Sequence, residues 1–166
     1  MSPQQSKLAD EIRGFFPSPH RAIAILATVD AERDFAPETR PMTLMESGWH
    51  FYVATGAGTR KAREMRTHAK VAALVTFRNE KFSGYLRLSG SAEPVDDPSE
   101  RKRIADSASY NLECRWKGGA GDPDLAFFHI VPERIEYMRP GDDDANDVTN
   151  ALLGASCPGA EKAGGA

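Results

Sequence analysis

The sequence predicts a mainly β fold, a small barrel of six antiparallel strands with short helices inserted between them. Six short segments rich in apolar and β-branched residues are separated by turn-forming residues. No strand is followed regularly by a long helix, as a doubly wound parallel sheet would require. The six predicted strands cover residues 20–29, 36–46, 49–53, 70–78, 85–95 and 125–138.

The composition is that of one soluble globular domain. The chain has 166 residues, of which 40% are hydrophobic and 27% charged, and this length is enough to fold around one core. Its apolar stretches, such as Ala22–Ala27, are far shorter than the ~20 residues that span a bilayer. Asp10 and Glu11 stand where a signal peptide has its apolar centre, and Cys114 and Cys157 form at most one disulfide. We therefore expect a cytoplasmic protein.

The first element is predicted to be an amphipathic helix over residues 5–16, because apolar residues recur there at helical spacing and two prolines follow. Strands 20–29 and 36–46 then pair across a polar turn. Ser47-Gly48 turns the chain into strand 49–53, which completes an antiparallel meander. The apolar helix residues are Leu8, Ile12, Phe15 and Phe16, and the prolines are Pro17 and Pro19.

A second helix is predicted over residues 60–67, after the glycines of residues 55–59 interrupt the strand pattern. Ala62 and Met65 form its apolar face, and Thr59 is its expected N-cap. Strands 70–78 and 85–95 follow. Gly90 inside the second of these predicts a bulge or a close backbone approach.

The last part of the predicted domain begins with a third helix, capped by Asp97 with Pro98 at its first position and running to about Asn111. A glycine-rich loop leads to strand 125–138, in which Pro132 is expected at an edge or bend. We expect the domain to cover residues 1–140. Residues 141–166 are expected to form an acidic, then Gly- and Ala-rich tail, disordered from about residue 154.

Several kinds of chemistry have no pattern in this chain. The four histidines, His20, His50, His68 and His129, lack the spacing of a zinc site. Cys114 has no identifiable base beside it, so a partly buried cysteine is the favoured interpretation. The nucleophile elbow, the Walker A loop and the Rossmann glycine motif are all absent. We expect no bound metal and name no catalytic residue.

Positive charge is gathered between Thr59 and Lys70 although the chain carries a net charge of −3. Cations in the first turn of a helix oppose its dipole unless an anion binds there, so Arg60 and Lys61 predict a phosphate site at the helix start. Arg63 and Arg66 are ordinary surface charge under the same argument. Arg40, held extended by Pro41, is a second candidate cation, since hairpin pairing would bring it near Thr55. An exposed strand arginine is its alternative interpretation.

Five motifs in order resemble the flavin-binding split-barrel superfamily of pyridoxamine 5′-phosphate oxidase. They are ATVD, RPM, FYVATGAGTRKAREM, KVAALVTF and YLRLSGSAEPVDD. The stretch WKGGAGDPDLAFFHIVPERIEYM is similar to the general stress protein 26 branch of that superfamily. The resemblance covers about Ile12 to Met138.

The resemblance implies a six-stranded split barrel that forms a homodimer and binds FMN at the subunit interface. In this family a second-strand arginine and a Ser/Thr-Arg-Lys group hold the flavin phosphate. Trp116 either closes the pocket from the partner subunit or is a core residue. The implied cofactor-binding residues are Arg40, Thr59, Arg60 and Lys61 at the phosphate, Pro41 next to Arg40, Met42, Thr43 and Leu44 at the isoalloxazine edge through their backbone atoms, Thr55 at the ribityl side, and Tyr85 and Trp116 around the pocket.

The resemblance leaves the reaction open. Met45 stands where pyridoxamine 5′-phosphate oxidases carry a lysine, and their Arg-rich C-terminal segment is absent, so oxidation of pyridoxamine phosphate is not expected. An FMN-dependent oxidoreductase with a small-molecule redox substrate is the first interpretation. The alternatives are a flavin reservoir that does not turn over and a split barrel that takes FAD, F420 or haem. The net charge argues against a nucleic-acid partner, and we expect no membrane partner.

Overall fold

The computed structural model describes residues 2–16, 21–108 and 110–154. Pro17, Pro19, His20 and Cys157, together with the tail from residue 155, lie outside the described residues. The strands are β1 Arg21–Asp30, β2 Ala36–Ser47, β3 His50–Gly56, β4 Lys70–Arg78, β5 Ser83–Pro94, β6 Leu125–Met138 and β7 Asn146–Asp147. The helices are α1 Pro3–Gly14, α2 Arg60–Thr67, α3 Pro98–Ser107 and α4 Thr149–Leu153. Single 3-10 turns cover Ala31–Arg33, Leu112–Cys114 and Gly119–Gly121.

Six of the strands form a closed antiparallel barrel. The strand order is β3-β2-β1-β4-β5-β6-β7, and β3 also pairs with β6. Phe51 of β3 lies opposite Ile130 of β6, which closes the ring, while β7 adds two residues to the outside of β6. The predicted fold class, a mainly β antiparallel barrel with short helices, is confirmed.

The barrel interior holds the main core. Alternate residues of β1 and β4 are buried, as the two-residue period of a pleated strand requires. Helix α1 contributes Ala9 and Ile12 to this core, and α2 contributes Ala62 and Met65. The strand registers and side-chain contacts put α1 and α2 at opposite ends of the barrel.

A second, smaller core lies outside the barrel, between its wall and α3. Tyr52 of β3 and Phe127 of β6 face outward there and pack against Ile104 of α3 and Leu112. Arg101 of α3 fastens the glycine-rich loop to this layer. Its guanidinium donates to the carbonyl oxygens of Ala120 at 2.8 Å, Asp122 at 3.2 Å and Leu125 at 2.9 Å.

The glycine at position 90 sits at a β-bulge, as its sequence position predicts. The β5–β6 register shifts between Ser89 and Gly90, and Gly90 lies opposite Pro132. A Cβ atom at Gly90 would lie 2.0 Å from the carbonyl oxygen of Val131, so only glycine fits.

Three predicted elements have different boundaries in the structure. Trp49 belongs to the turn and not to β3, with φ of +68° beside Gly48, and β3 continues to Gly56. Helix α1 starts earlier, because Ser2 and Gln5 form a capping box. Helix α3 ends at Ser107 and not at Asn111, since the Ser107 hydroxyl donates to the carbonyl oxygen of Ile104 and the chain turns extended.

The packed structure continues beyond residue 140. Val148 and Leu152, which the sequence analysis assigns to the tail, are buried in the main core. The amide of Ile135 donates to the Thr149 hydroxyl at 2.8 Å and holds α4 against β6. The barrel domain therefore includes β7 and α4. None of the helices in the described ranges is long and apolar enough to cross a bilayer.

Candidate functional site

The predicted phosphate residues lie where β3 ends and α2 begins. The loop between them is fixed by backbone hydrogen bonds from Ala57 to Asp124 at 2.8 Å and from Thr59 to Gly56 at 3.1 Å. Thr59 is the N-cap residue of α2 by position, but its hydroxyl makes no capping hydrogen bond. It donates to the carbonyl oxygen of Gly56 at 2.8 Å and lies 3.3 Å from the hydroxyl of Thr55. Thr59 is therefore the N-cap residue, as predicted, without a capping hydrogen bond from its own side chain.

Arg40 reaches α2 through a buried carboxylate. Its guanidinium donates to the hydroxyl of Thr28 and, at 2.8 Å, to Oε2 of Glu64. The Thr28 hydroxyl donates to the same oxygen at 2.5 Å. These bonds hold the side chain of Arg40 against α2, at the end of the barrel that we call the barrel mouth. Among the described residues no hydrogen bond joins Arg40 to Thr55.

Arg60 is shared between two carboxylates. Its guanidinium lies 3.1 Å from Oε2 of Glu38 and 3.1 Å from Oε1 of Glu64. Glu38 also pairs with Arg33 at 2.6 Å. Positive and negative side chains thus alternate across the barrel mouth, in the order Arg33, Glu38, Arg60, Glu64 and Arg40.

Lys61 differs from both arginines. Burial lowers its pKa first, and the positive charges of Arg40 and Arg115 lower it further, whereas Glu64 acts in the opposite direction. Within the described ranges no carboxylate forms an ion pair or hydrogen bond with its ammonium group. Lys61 is therefore a partly buried cation whose charged form is disfavoured by burial and by two arginines, and an anion at this place favours that charged form.

Arg115 lies beside the candidate site although no sequence pattern predicts it there. Arg115 lines a hollow of about 360 Å³ together with Trp116 and residues 56–59, the loop between β3 and α2. Its guanidinium lies 5.3 Å from the centre of the Trp116 ring. Trp116 is half-buried against the second core and flanks the loop of its own chain. The other lining residues are Gly56, Ala57, Gly58, Thr59, Asp122 and Asp124.

The remaining predicted residues lie on strands. Met42 points into the main core and is 9% exposed, so only its backbone is available at the surface. Pro41 and Thr43 face outward, opposite Ile25 and Ile23 of β1. Tyr85 of β5 lies on the same outer wall, opposite Thr76. The structure thus groups Arg40, Thr55, Thr59, Arg60 and Lys61 at the barrel mouth, and Pro41, Thr43 and Tyr85 on the adjoining wall.

A larger cleft, of about 930 Å³, lies between α3 and the glycine-rich loop. It contains none of the predicted cofactor residues, and its central cation, Arg101, is already bonded to backbone carbonyls. The barrel mouth is therefore the better candidate for binding an anion.

A group of titratable side chains lies elsewhere on the outer wall. The rings of Tyr52 and His129 stack with centres 4.8 Å apart, and His50 lies 5.5 Å from His129. Burial first, and then the charge of His50, lower the pKa of His129. Among the residues that the structure describes, no group of three or more histidine, cysteine or acidic side chains is placed to hold a metal ion.

Comparison with known proteins gives both sequence and structural matches. The family model described as pyridoxamine 5′-phosphate oxidase matches residues 8–139. General stress protein 26 of Bacillus subtilis (strain 168) is 32% identical over 124 residues, which cover 74% of this chain and 84% of that protein.

Two solved structures illustrate the shared fold. General stress protein 26 from Bacillus anthracis str. Sterne has a TM-score of 0.63 at 21% identity, covering 84% of this chain and 98% of that chain. A heme binding protein from Mycobacterium smegmatis has a TM-score of 0.67 at 14% identity, covering 92% of this chain and 62% of that chain.

Proposed function

The chain belongs to the pyridoxamine 5′-phosphate oxidase family, in the branch of general stress protein 26, and from that premise we propose that it binds FMN and acts as a flavin-dependent oxidoreductase. The flavin phosphate is bound at the barrel mouth by Lys61, Arg60 and Arg40, with Arg115 beside them. The isoalloxazine ring lies along the outer wall at Pro41, Met42 and Thr43.

The position of Lys61 carries this proposal. The side chain of Lys61 is partly buried, no carboxylate among the described residues pairs with it, and the charges of Arg40 and Arg115 disfavour its charged form. An anion bound here compensates these charges. A phosphate monoester supplies two negative charges and several acceptor oxygens. The first turn of α2 adds backbone N–H groups that the Thr59 hydroxyl does not cap.

The outer wall supports a homodimer as the working unit. Ile23 and Ile25 of β1 are 59% and 42% exposed, beside Pro41 of β2 and Leu74 of β4. A contiguous apolar surface of this kind favours burial against another protein surface. A second copy of the chain on this wall also covers the neighbouring flavin groove, which includes Thr43.

The flavin, when bound, supplies the electron-accepting chemistry, while the protein orients it and limits access to it. We do not propose oxidation of pyridoxamine phosphate. Met45, which stands at the position of the family's lysine, is 2% exposed and belongs to the second core. The substrate is therefore a different small redox molecule.

The absorption spectrum of the purified protein tests the cofactor directly, because FMN, F420 and haem absorb differently. Titration with FMN, followed by flavin fluorescence, tests the site. Replacing Arg60 and Lys61 together by alanine is expected to weaken FMN binding at least about tenfold, since two charge-assisted contacts are lost. The matched control is Arg63→Ala, an exposed arginine on the same helix. Equal affinity in the double variant and the control contradicts the site.

Anaerobic mixing with NADH or NADPH tests turnover. An oxidoreductase that uses these donors loses its flavin absorbance within catalytic times, whereas a flavin reservoir keeps it. The second outcome supports the alternative of a stress protein that stores the cofactor.

A further inference from the structure

We propose that two carboxylates of the barrel mouth have opposite roles in phosphate binding: Glu64 positions Arg40 and Arg60, whereas Glu38 is an internal anion that Arg60 leaves when the phosphate binds. This inference rests on the proposed function, because the phosphate is that of the flavin.

Glu64 has the features of a positioning residue. Its side chain is 3% exposed, and a carboxylate buried to this extent is costly unless it is paired and hydrogen-bonded. One oxygen accepts from both Thr28 and Arg40. These bonds fix the guanidinium of Arg40 below α2.

The second oxygen of Glu64 faces Arg60. The distance to Nε of Arg60 is 3.1 Å, yet this buried oxygen accepts no hydrogen bond from the described residues. The contact is therefore an ion pair without directed hydrogen bonding. It holds Arg60 on the carboxylate that also binds Arg40, and the terminal N–H group of Arg60 that bonds to Glu38 can exchange to a ligand.

Glu38 has the features of an anion that is easily exchanged. Its side chain is 20% exposed, and that of Arg60 is 53% exposed. Ion pairs in contact with water contribute little free energy. When Arg60 turns to a phosphate, Glu38 keeps its 2.6 Å contact with Arg33, so no carboxylate is left unpaired.

Together these contacts predict opposite effects of the same substitution at two positions. Glu64→Gln removes the charge that holds both arginines, so phosphate binding weakens. Glu38→Gln removes the competitor for Arg60, so phosphate binding becomes tighter. Neither change affects a flavin that lacks the phosphate.

The experiment compares FMN with riboflavin, which has no phosphate, by fluorescence titration of the full chain. For Glu64→Gln we expect the Kd of FMN to rise about tenfold or more. For Glu38→Gln we expect it to fall about two- to fivefold. The Kd of riboflavin is expected to stay within about twofold in both variants.

The control variants are Glu46→Gln, a buried carboxylate bonded to Arg13 and to the amide of Trp49, and Glu133→Gln, an exposed partner of Lys70. Both are expected to leave both affinities unchanged. If Glu64→Gln does not fold, Thr28→Val removes the hydroxyl between Glu64 and Arg40 and is expected to weaken FMN binding in the same direction.

Three results overturn the inference. Tighter FMN binding in Glu64→Gln means that Glu64 only repels the phosphate, and unchanged binding means that its charge does not position the arginines. Equal losses for FMN and riboflavin mean that its role is general packing. Unchanged FMN binding in Glu38→Gln removes the competitor role. A wild-type protein that binds neither flavin instead overturns the proposed function, and the inference with it.

Discussion

The hydroxyl of Tyr137 donates a 2.8 Å hydrogen bond to the carboxylate of Glu11, which joins β6 to α1. Arg139 adds two contacts to the same carboxylate, at 2.5 and 2.9 Å. The carboxylate of Glu11 thus holds the first helix on its end of the barrel, together with the apolar contacts of Ile12 and the pair between Arg13 and Glu46.

This arrangement predicts that the attachment of α1 weakens in acid. The hydrogen bond from Arg139 lowers the pKa of Glu11. A carboxyl with a lowered folded-state pKa stabilises the fold above its unfolded-state pKa of about 4.3, and this contribution is lost as pH falls through the folded-state value. Chemical unfolding of wild type and Glu11→Gln between pH 7 and 3 is expected to show a difference that shrinks with falling pH. A constant difference contradicts this role.

The bulge at Gly90 predicts that a side chain at this position destabilises the fold. Gly90→Ala puts a Cβ atom against the carbonyl oxygen of Val131 and the amide of Glu133, and forcing backbone apart is costly. We expect a loss of about 1–3 kcal/mol in the free energy of unfolding, measured by urea denaturation. Gly121→Ala is the control, because open space surrounds a Cβ there. Equal stabilities of the two variants argue against a rigid bulge.

The hydrogen bonds from Arg101 hold the glycine-rich loop, and we expect their loss to loosen that loop. Arg101→Met keeps an unbranched side chain but removes the hydrogen bonds to the glycine-rich loop, at a cost of about 2 kcal/mol. We expect faster proteolysis between Gly118 and Asp124. Lys102→Met, which removes a fully exposed pair with Asp106, is the control and is expected to cleave at the wild-type rate. Identical cleavage in both variants contradicts the proposed role of Arg101 in holding the loop.

His129 is expected to titrate below the usual histidine pKa of about 6.5, because burial and His50 disfavour its charged form. A histidine with a lowered folded-state pKa costs stability as pH falls through the unfolded-state value. Histidine proton shifts in NMR spectra give the value directly. His50→Ala removes one cause and is expected to raise the pKa of His129; an unchanged value shows that burial alone is responsible.

The proposed dimer predicts that one charge on the outer wall separates the subunits. Ile25→Glu puts a carboxylate in the centre of the apolar surface, where burial is costly. We expect light scattering to give the mass of a dimer for wild type and of a monomer for this variant. Phe82→Glu, at the exposed tip between β4 and β5, is expected to remain dimeric. A dimeric Ile25→Glu places the interface elsewhere.

The barrel was predictable because its strands carry local signals. Alternating burial, turn residues and the glycine at the bulge each act over a few neighbouring positions. The helix at residues 60–67 was predictable for the same reason, and so were Arg60 and Lys61 at its start. In the structure Arg60 and Lys61 lie in the first turn of α2, as expected.

The rest of the site depends on contacts between distant segments. In the sequence, Glu64 is the single acidic residue of a basic stretch, and nothing near it predicts that it is buried. It is buried because Thr28 and Arg40, from two distant strands, contact it in the folded barrel. Arg115 lies in a segment without periodicity. It comes near Lys61 only because the chain after α3 folds back over residues 56–59, the loop that precedes α2. No spacing rule relates such residues.

The pairing of β3 with β6 also governs the order of folding during synthesis. Phe51 finds its partner Ile130 only after most of the chain has left the ribosome, so the nascent meander β1–β3 presents an open edge until then. Such non-local pairing slows folding and exposes strand edges to other chains. We therefore expect the nascent protein to be most prone to aggregation before β6 is complete.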